Sequence, residues 1–164
     1  MAPTIRRAHH DELDAVGRLT VDAYVGGGVI PQDAPYLRFL GDAVHRDAEA
    51  ELWVAADGRG VVGTMTFVEP GSALCEIAGD GEAEMRSLAV SPAATGEGIG
   101  EALTRHAISR AREQGLHALV LSSATTMHPA HRLYGRLGFT RLPERDWSPV
   151  SGVQLVAYTL SLRD

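Results

Sequence analysis

The sequence predicts an α/β fold: one mixed sheet, mostly antiparallel, with a splayed central parallel strand pair and helices on both faces. Three observations predict it. Two strand-like runs, ELWVAA at 51–56 and VVGTMTFV at 61–68, are joined by Asp57-Gly58-Arg59-Gly60. Asp-Gly between such runs is a hairpin signal, so the early strands are antiparallel. Two later runs, at 82–90 and 117–123, flank a long helical pattern, and a helix crossover makes that pair parallel. The third is length. A chain of 164 residues without repeat or linker is one domain, 1–164, and buries roughly 70% of its unfolded surface.

The elements follow in chain order. Residues 3–8 read as a first strand. From Asp11 the apolar positions Leu13, Val16, Thr20, Ala23 and Tyr24 recur at helical spacing, with Asp11 and Glu12 at the positive helix end. Gly26-Gly27-Gly28 stops that helix. A second helix covers 36–45, with Leu37, Leu40 and Val44 on one side. After the hairpin, 69–81 is an acidic loop. The strand at 82–90 (EAEMRSLAV) leads through a glycine-rich turn into a helix at 98–114, stopped by Gly115. The strand HALVLSS at 117–123 follows, then a helix at 129–137 ending at Gly138. Short strands at 139–142 and 153–160 close the chain.

Composition excludes several classes. Apolar residues are 45% and charged residues 22%, which excludes a disordered tail or a rod. The single cysteine, Cys75, excludes a disulfide framework and a site of paired thiolates. A net charge of −6 lacks the basic footprint of a nucleic-acid binder. No apolar run approaches the ~20 residues of a membrane span. The start, MAPTIRRAHHDELD, does not read as a signal peptide, so a reduced cytoplasm is the expected location.

The segment Leu88-Ala89-Val90-Ser91-Pro92-Ala93-Ala94-Thr95-Gly96-Glu97-Gly98-Ile99-Gly100 is the most informative. A strand ends, the chain turns, and glycines open a helix. Successive N–H groups at a positive helix end suit a phosphate or pyrophosphate. A P-loop requires Gly-Lys-Ser/Thr, but Glu101-Ala102 follows Gly100. A dinucleotide fingerprint spaces its glycines differently and sits near a first strand. By itself the segment is also compatible with a glycine turn that holds nothing.

A second segment, His128-Pro129-Ala130-His131-Arg132-Leu133-Tyr134-Gly135-Arg136-Leu137-Gly138-Phe139, lies one strand further on. Together the two resemble the GNAT superfamily of N-acetyltransferases. The first resembles that family's cofactor motif, a strand ending Leu-x-Val followed by Gln/Arg-x-x-Gly-x-Gly/Ala. The second resembles its Ala-x-x-Leu-Tyr-x-x-x-Gly-Phe motif. The resemblance is close over 82–139 and elsewhere extends only to element order. Thr95 stands where the family usually has Gln or Arg, and Met127 where many members have Asn.

The resemblance implies acetyl-coenzyme A as cosubstrate and direct acetyl transfer to an amine. It assigns Thr95, Gly96, Glu97, Gly98, Ile99 and Gly100 to the pyrophosphate, and the open edge at Leu88, Ala89 and Val90 to the pantetheine arm. An N–H on that edge would also polarise the thioester carbonyl. Tyr134 is the implied general acid for the leaving thiolate, in contact with the cofactor. Packing on an amphipathic helix is its other reading. Glu84 is the implied base, directly or through water, with Glu82 as a rival on the same strand. A direct base needs burial to raise its pKa from about 4.3. The acceptor site is expected from 24–36 and 144–151, with Trp147 lining it or covering the sheet edge.

Other candidates have simpler readings. Cys75 lacks a partner segment for a covalent route. His9-His10-Asp11-Glu12 points its side chains apart, and His128 and His131 lack a third ligand, so no metal is expected. His106 reads as surface and Trp53 as core. Asp33, Glu69, Glu76, Asp80 and Glu82 either favour a cationic acceptor or are solvated loops. The expected partner is a small-molecule or peptide amine, with no nucleic acid and no membrane; a homodimer is compatible with the sequence. Two alternatives differ in class: a non-catalytic acyl-coenzyme A sensor of the same fold, and an interaction domain whose loop binds nothing.

Overall fold

The structure, a computed structural model, describes residues 2–163. Its strands are β1 (Thr4–Arg7), β2 (Glu51–Asp57), β3 (Gly60–Val68), β4 (Glu82–Val90), β5 (Ala118–Ala124), β6 (Thr140–Arg141), β7 (Trp147–Val150) and β8 (Val153–Ser161). They form one sheet in the order β1-β2-β3-β4-β5-β8-β6, with β7 paired to β8. β4 and β5 run parallel and the other paired strands antiparallel, as the hairpin and the helix crossover predict.

The helices are α1 (Leu13–Gly26), α2 (Leu37–Gly41), α3 (Ala43–Glu49), α4 (Ile99–Glu113) and α5 (His128–Arg136). On one face, α4 buries Ile99, Leu103, Ala107 and Ala111 against Met65, Phe67, Met85 and Leu121 of the sheet. Each large side chain so buried contributes about 1.5–3 kcal/mol. On the other face, Leu13 and Val16 of α1 and Ala43 of α3 cover Leu52 and Val54. Gly17 permits this arrangement, because a Cβ there would collide with the Gly41 carbonyl of α2.

The single helix expected over 36–45 is two helices. Asp42 breaks it with a non-helical backbone and caps α3, accepting the His45 N–H at 3.0 Å; α3 then continues to Glu49. Arg46 on α3 is fully buried and donates to the Leu40 carbonyl (2.7 Å) and the Thr66 hydroxyl (3.1 Å). Burial pulls its pKa down to about 10. A charge that deep ties α2 and α3 to β3, and apolar periodicity gives no sign of it. His106, expected at the surface, is half-buried with its ring 4.1 Å from that of Trp53.

The central parallel pair splays from midway along β4. The parallel pairing runs from Glu82–Ala118 only to Met85–Leu121. The cause is a bulge: β3 pairs Thr66 with Arg86 but Thr64 with Ala89, one extra residue on β4. Ser87 sits in it at φ 54°, the only non-glycine residue with positive φ among the described residues. A bulge bends its strand and increases local twist, which turns the end of β4 away from β5. β5 meanwhile stays paired to β8 through Ala124–Leu155.

Candidate functional site

The gap left by the splay holds two adjoining spaces. The first is a groove of about 490 Å³ lined by Leu88, Ala89 and Val90 of β4, by Thr95, Gly96, Gly98 and Gly100, and by one side of α5. Gly98 caps α4 in the left-handed region (φ 81°), and Gly96 before it is also left-handed (φ 85°). An L side chain is strained in both places. A Cβ built on either would meet nothing within 4 Å, so the space over both glycines is open. Among the described residues, the N–H groups of residues 96–101 have no protein acceptor. The first bond of the helix is Ala102 N–H to the Gly98 carbonyl, 3.0 Å. A run of free N–H groups at a positive helix end, beside an open groove, has the chemistry that suits an anion.

The sequence-assigned residues of this loop divide by role. Ile99 is buried in the core and its side chain does not line the groove. The Glu97 carboxylate turns away to Arg59 at 2.7 Å, and Arg59 also holds Asp57 at 2.7 Å. Thr95, in extended backbone, lines the groove beside Gly96. Arg136 lines it as well, 3.5 Å from Glu101. Sequence reasoning missed Arg136, although it lies inside the second motif as its last-turn cation.

The second space is a narrow cavity of about 40 Å³. Tyr24, Val29, Leu88 and Met127 line both spaces, which therefore adjoin. Tyr134 is buried in the cavity wall, its ring 5.6 Å from those of Phe139 and Tyr158. Burial pushes its pKa above the usual tyrosine value, and the neighbouring Tyr24 and Tyr158 add to this. Glu84 is fully buried. Its Oε1 accepts N–H bonds from Glu76 (2.9 Å), Ile77 (2.9 Å) and Ala78 (3.0 Å). Its Oε2 has no hydrogen-bond partner and lies 4.0 Å from the Arg86 guanidinium. Burial raises the Glu84 pKa; the three N–H groups and Arg86 oppose that without cancelling it.

Glu82 faces a different setting. Its Oε1 takes the Gly79 N–H (2.7 Å) and Arg145 (2.6 Å). Burial pushes its pKa up, but these partners outweigh burial and hold it below the usual carboxylate range. Together Glu82 and Glu84 pin the loop over 76–79 to β4. Among the described residues Glu84 is the only carboxylate lining the cavity; Asp33, Glu69, Glu76, Asp80 and Glu82 lie outside it. The segments expected around the acceptor contribute Tyr24, Ile30 and Tyr36, and Trp147, whose Nε1 donates to Ser122 Oγ at 2.9 Å. Sequence reasoning missed Arg86. It stacks on Phe39 (4.4 Å) and donates to the Leu74 carbonyl and the Tyr36 hydroxyl at 2.9 and 3.1 Å.

The remaining candidates stand apart from both spaces. Cys75 donates weakly to the Glu69 carbonyl at 3.3 Å, and burial raises its thiol pKa, the reverse of an activated nucleophile. His128 and His131 stack edge-on at 5.9 Å, and His131 Nε2 lies 3.2 Å from Ser123 Oγ. Among the described residues no three His, Cys, Asp or Glu side chains gather as a metal site, and no helix is long and apolar enough to cross a membrane.

The model of the acetyltransferase (GNAT) family matches residues 13–139. Mycothiol acetyltransferase of Arthrobacter sp. (strain FB24) is 47% identical over 58 residues, 35% of this chain and 18% of that protein. N-acetyltransferase 8B of Rattus norvegicus is 34% identical over 122 residues, 70% of this chain and 52% of that protein. The chain thus spans from 18% to about half of the length of these curated relatives. A GNAT-family acetyltransferase structure from Staphylococcus aureus Mu50 superposes with a TM-score of 0.76 at 16% identity, covering 99% of this chain and 100% of the other. The yncA structure from Salmonella typhimurium, with its cofactor acetyl-CoA, superposes with a TM-score of 0.70 at 23% identity, covering 100% and 96%. These two likenesses establish the shared fold.

Proposed function

The chain belongs to the acetyltransferase (GNAT) family, and from that premise we propose that it transfers an acetyl group from acetyl-coenzyme A directly to a primary amine. One observation carries the reading: a cradle of free N–H groups adjoins, along the half of β4 that β5 leaves, a cavity lined by a buried tyrosine and by a glutamate with an unpartnered carboxylate oxygen.

The groove fits the cosubstrate, because its glycines leave room for a phosphate where any Cβ would stand. When bound, acetyl-coenzyme A supplies an acetyl group activated as a thioester. The N–H groups of 96–101 hold the pyrophosphate, with Arg136 as the nearby cation. Thr95 offers one hydroxyl where a charged fork would bind more strongly. The free edge of β4 beyond Met85 pairs with the amide-rich arm as a further strand would. Leu88 and Val90 flank that edge, and Met127 stands where the two spaces adjoin.

In the cavity, Glu84 Oε2 takes a proton from the incoming ammonium, which frees the nitrogen lone pair. Its raised pKa suits that task better than an ordinary glutamate's would. Tyr134, kept protonated by burial, gives its proton to the departing sulfur. A C–N bond forms and the C–S bond breaks. The thiol gains one proton and one is released to solvent. The narrow cavity excludes bulk water, which limits hydrolysis.

Two measurements test the reading. Coenzyme A at 100 times its Kd stabilises the protein by about 2.7 kcal/mol, a visible shift in melting temperature. An amine panel with acetyl-coenzyme A gives turnover. Binding without turnover of any amine would leave a non-catalytic sensor, and no thermal shift would remove the cosubstrate assignment.

A further inference from the structure

The cavity beside Tyr134 carries information about the acceptor itself. Two of the residues that line it carry a buried oxygen with no protein partner: Oε2 of Glu84, a fully buried residue, and Oγ of Ser87, a residue 8% exposed. Buried polar atoms are almost always satisfied, so a pair of orphans around one small cavity calls for a ligand that brings the missing donors. A compact group with two or more N–H bonds satisfies both at once.

The charges lining the cavity narrow the choice. Among the described residues Glu84 is its single carboxylate, enough for one ammonium. Arg86 is its single cation among the described residues, and it is already engaged by the Leu74 carbonyl, the Tyr36 hydroxyl and the Phe39 ring. A second ammonium on the acceptor would be buried without a counter-charge, and a carboxylate would have to displace bonds Arg86 already makes. Ser122 and Ser123 also line it, but their hydroxyls are already matched by Trp147 Nε1 and His131 Nε2; the remaining lining is apolar or aromatic, including Ile30, Leu121, Val153 and Trp147. The volume, about 40 Å³, holds only a few water-sized groups.

We propose that the acceptor is a compact primary monoamine with an apolar body, its nitrogen held between Glu84 Oε2 and Ser87 Oγ. The inference rests on the acetyl-transfer reading above. It assigns Ser87 a part in selectivity that its place in the bulge alone does not require. The nitrogen donates to both oxygens, and its carbon chain lies against the apolar wall.

The test uses four amines with one three-carbon chain: n-propylamine, 1,3-diaminopropane, 3-aminopropionate and N-methylpropylamine. Each is assayed with acetyl-coenzyme A and kcat/KM is compared per free-base amine. The expected result is that n-propylamine exceeds each of the others by at least about tenfold. In Ser87→Ala the advantage over the secondary amine should shrink to a few-fold, a ratio within one variant that is insensitive to how much of it folds. A diamine or amino acid used as well as n-propylamine overturns the proposal, as does an unchanged ratio in Ser87→Ala. If none of the four is acetylated while coenzyme A still raises the melting temperature, the compact-monoamine proposal fails and the cosubstrate assignment stands. If coenzyme A has no effect on melting either, the reading beneath has failed and the proposal falls with it.

Discussion

The groove over the glycine loop and the cavity beside Tyr134 are built from different materials. The groove presents backbone: N–H groups of 96–101, the free half of β4, and glycines whose Cβ positions are empty. The cavity presents side chains that converge from α1, β4, β5, α5 and β7. A backbone site depends on dihedral angles and tolerates side-chain change outside its glycines. A side-chain site depends on single atoms, such as the one free oxygen of Glu84.

The largest expected effect attacks the backbone side at one of its two left-handed glycines. Gly98→Asp puts a strained left-handed residue and a negative charge in the open space of the groove. Coenzyme A affinity should fall by about 100-fold or more, roughly 2.7 kcal/mol, by titration calorimetry. Unchanged affinity would mean that the groove is not the anion site.

Next come the cavity residues, where removing one atom should suffice. Tyr134→Phe should lower kcat by about 10²-fold with KM for acetyl-coenzyme A nearly constant, the mark of an interaction made in the transition state. Wild-type kcat, where chemistry limits the rate, would reduce Tyr134 to packing. Glu84→Gln should lower kcat/KM by a comparable factor and abolish the acid limb of its pH profile. In the wild type that limb should lie above about 4.3, the ordinary glutamate value, because burial raises the Glu84 pKa. The same shift has a sign for stability. The fold favours protonated Glu84, so the wild type should lose stability relative to Glu84→Gln as pH rises from the unfolded value through the raised folded one. Melting curves across that window check it.

The smallest effect sharpens the comparison by being nearly silent. The Glu97 side chain lies inside the loop but serves Arg59. Glu97→Ala should leave coenzyme A affinity within about three-fold, the size of an exposed charge effect. A tenfold loss would show that this loop reads its ligand through side chains after all.

The same distinction governs what could be read in advance. The glycine loop was legible because its requirements fall on consecutive residues: a strand end, two left-handed positions and a helix start. The sheet was legible because Asp57-Gly58 and the long apolar side of α4 are local signals. The cavity was legible only through the motif containing Tyr134 and the strand position of Glu84. Nothing local announces that three N–H groups at 76–78 close over one oxygen of Glu84, or that Arg86 is spoken for by Tyr36. β7 carries no local strand signal, being four residues long and containing Pro149. Asp42 carried a readable cap signal, but Leu37, Leu40 and Val44 gave a continuous stripe that hid the break.

The one-sided half of β4 has a consequence for handling the protein. Beyond Met85 the strand lacks a neighbour where β5 departs, so a row of unmet backbone groups lies open in mid-sheet. Such a row is a template for any stray extended chain, including a second unfolding copy. A bound pantetheine arm would occupy that template as well as the groove. Coenzyme A should therefore suppress aggregation on heating by more than its effect on melting temperature accounts for. Light scattering of samples matched for distance from their own melting points would reveal the difference.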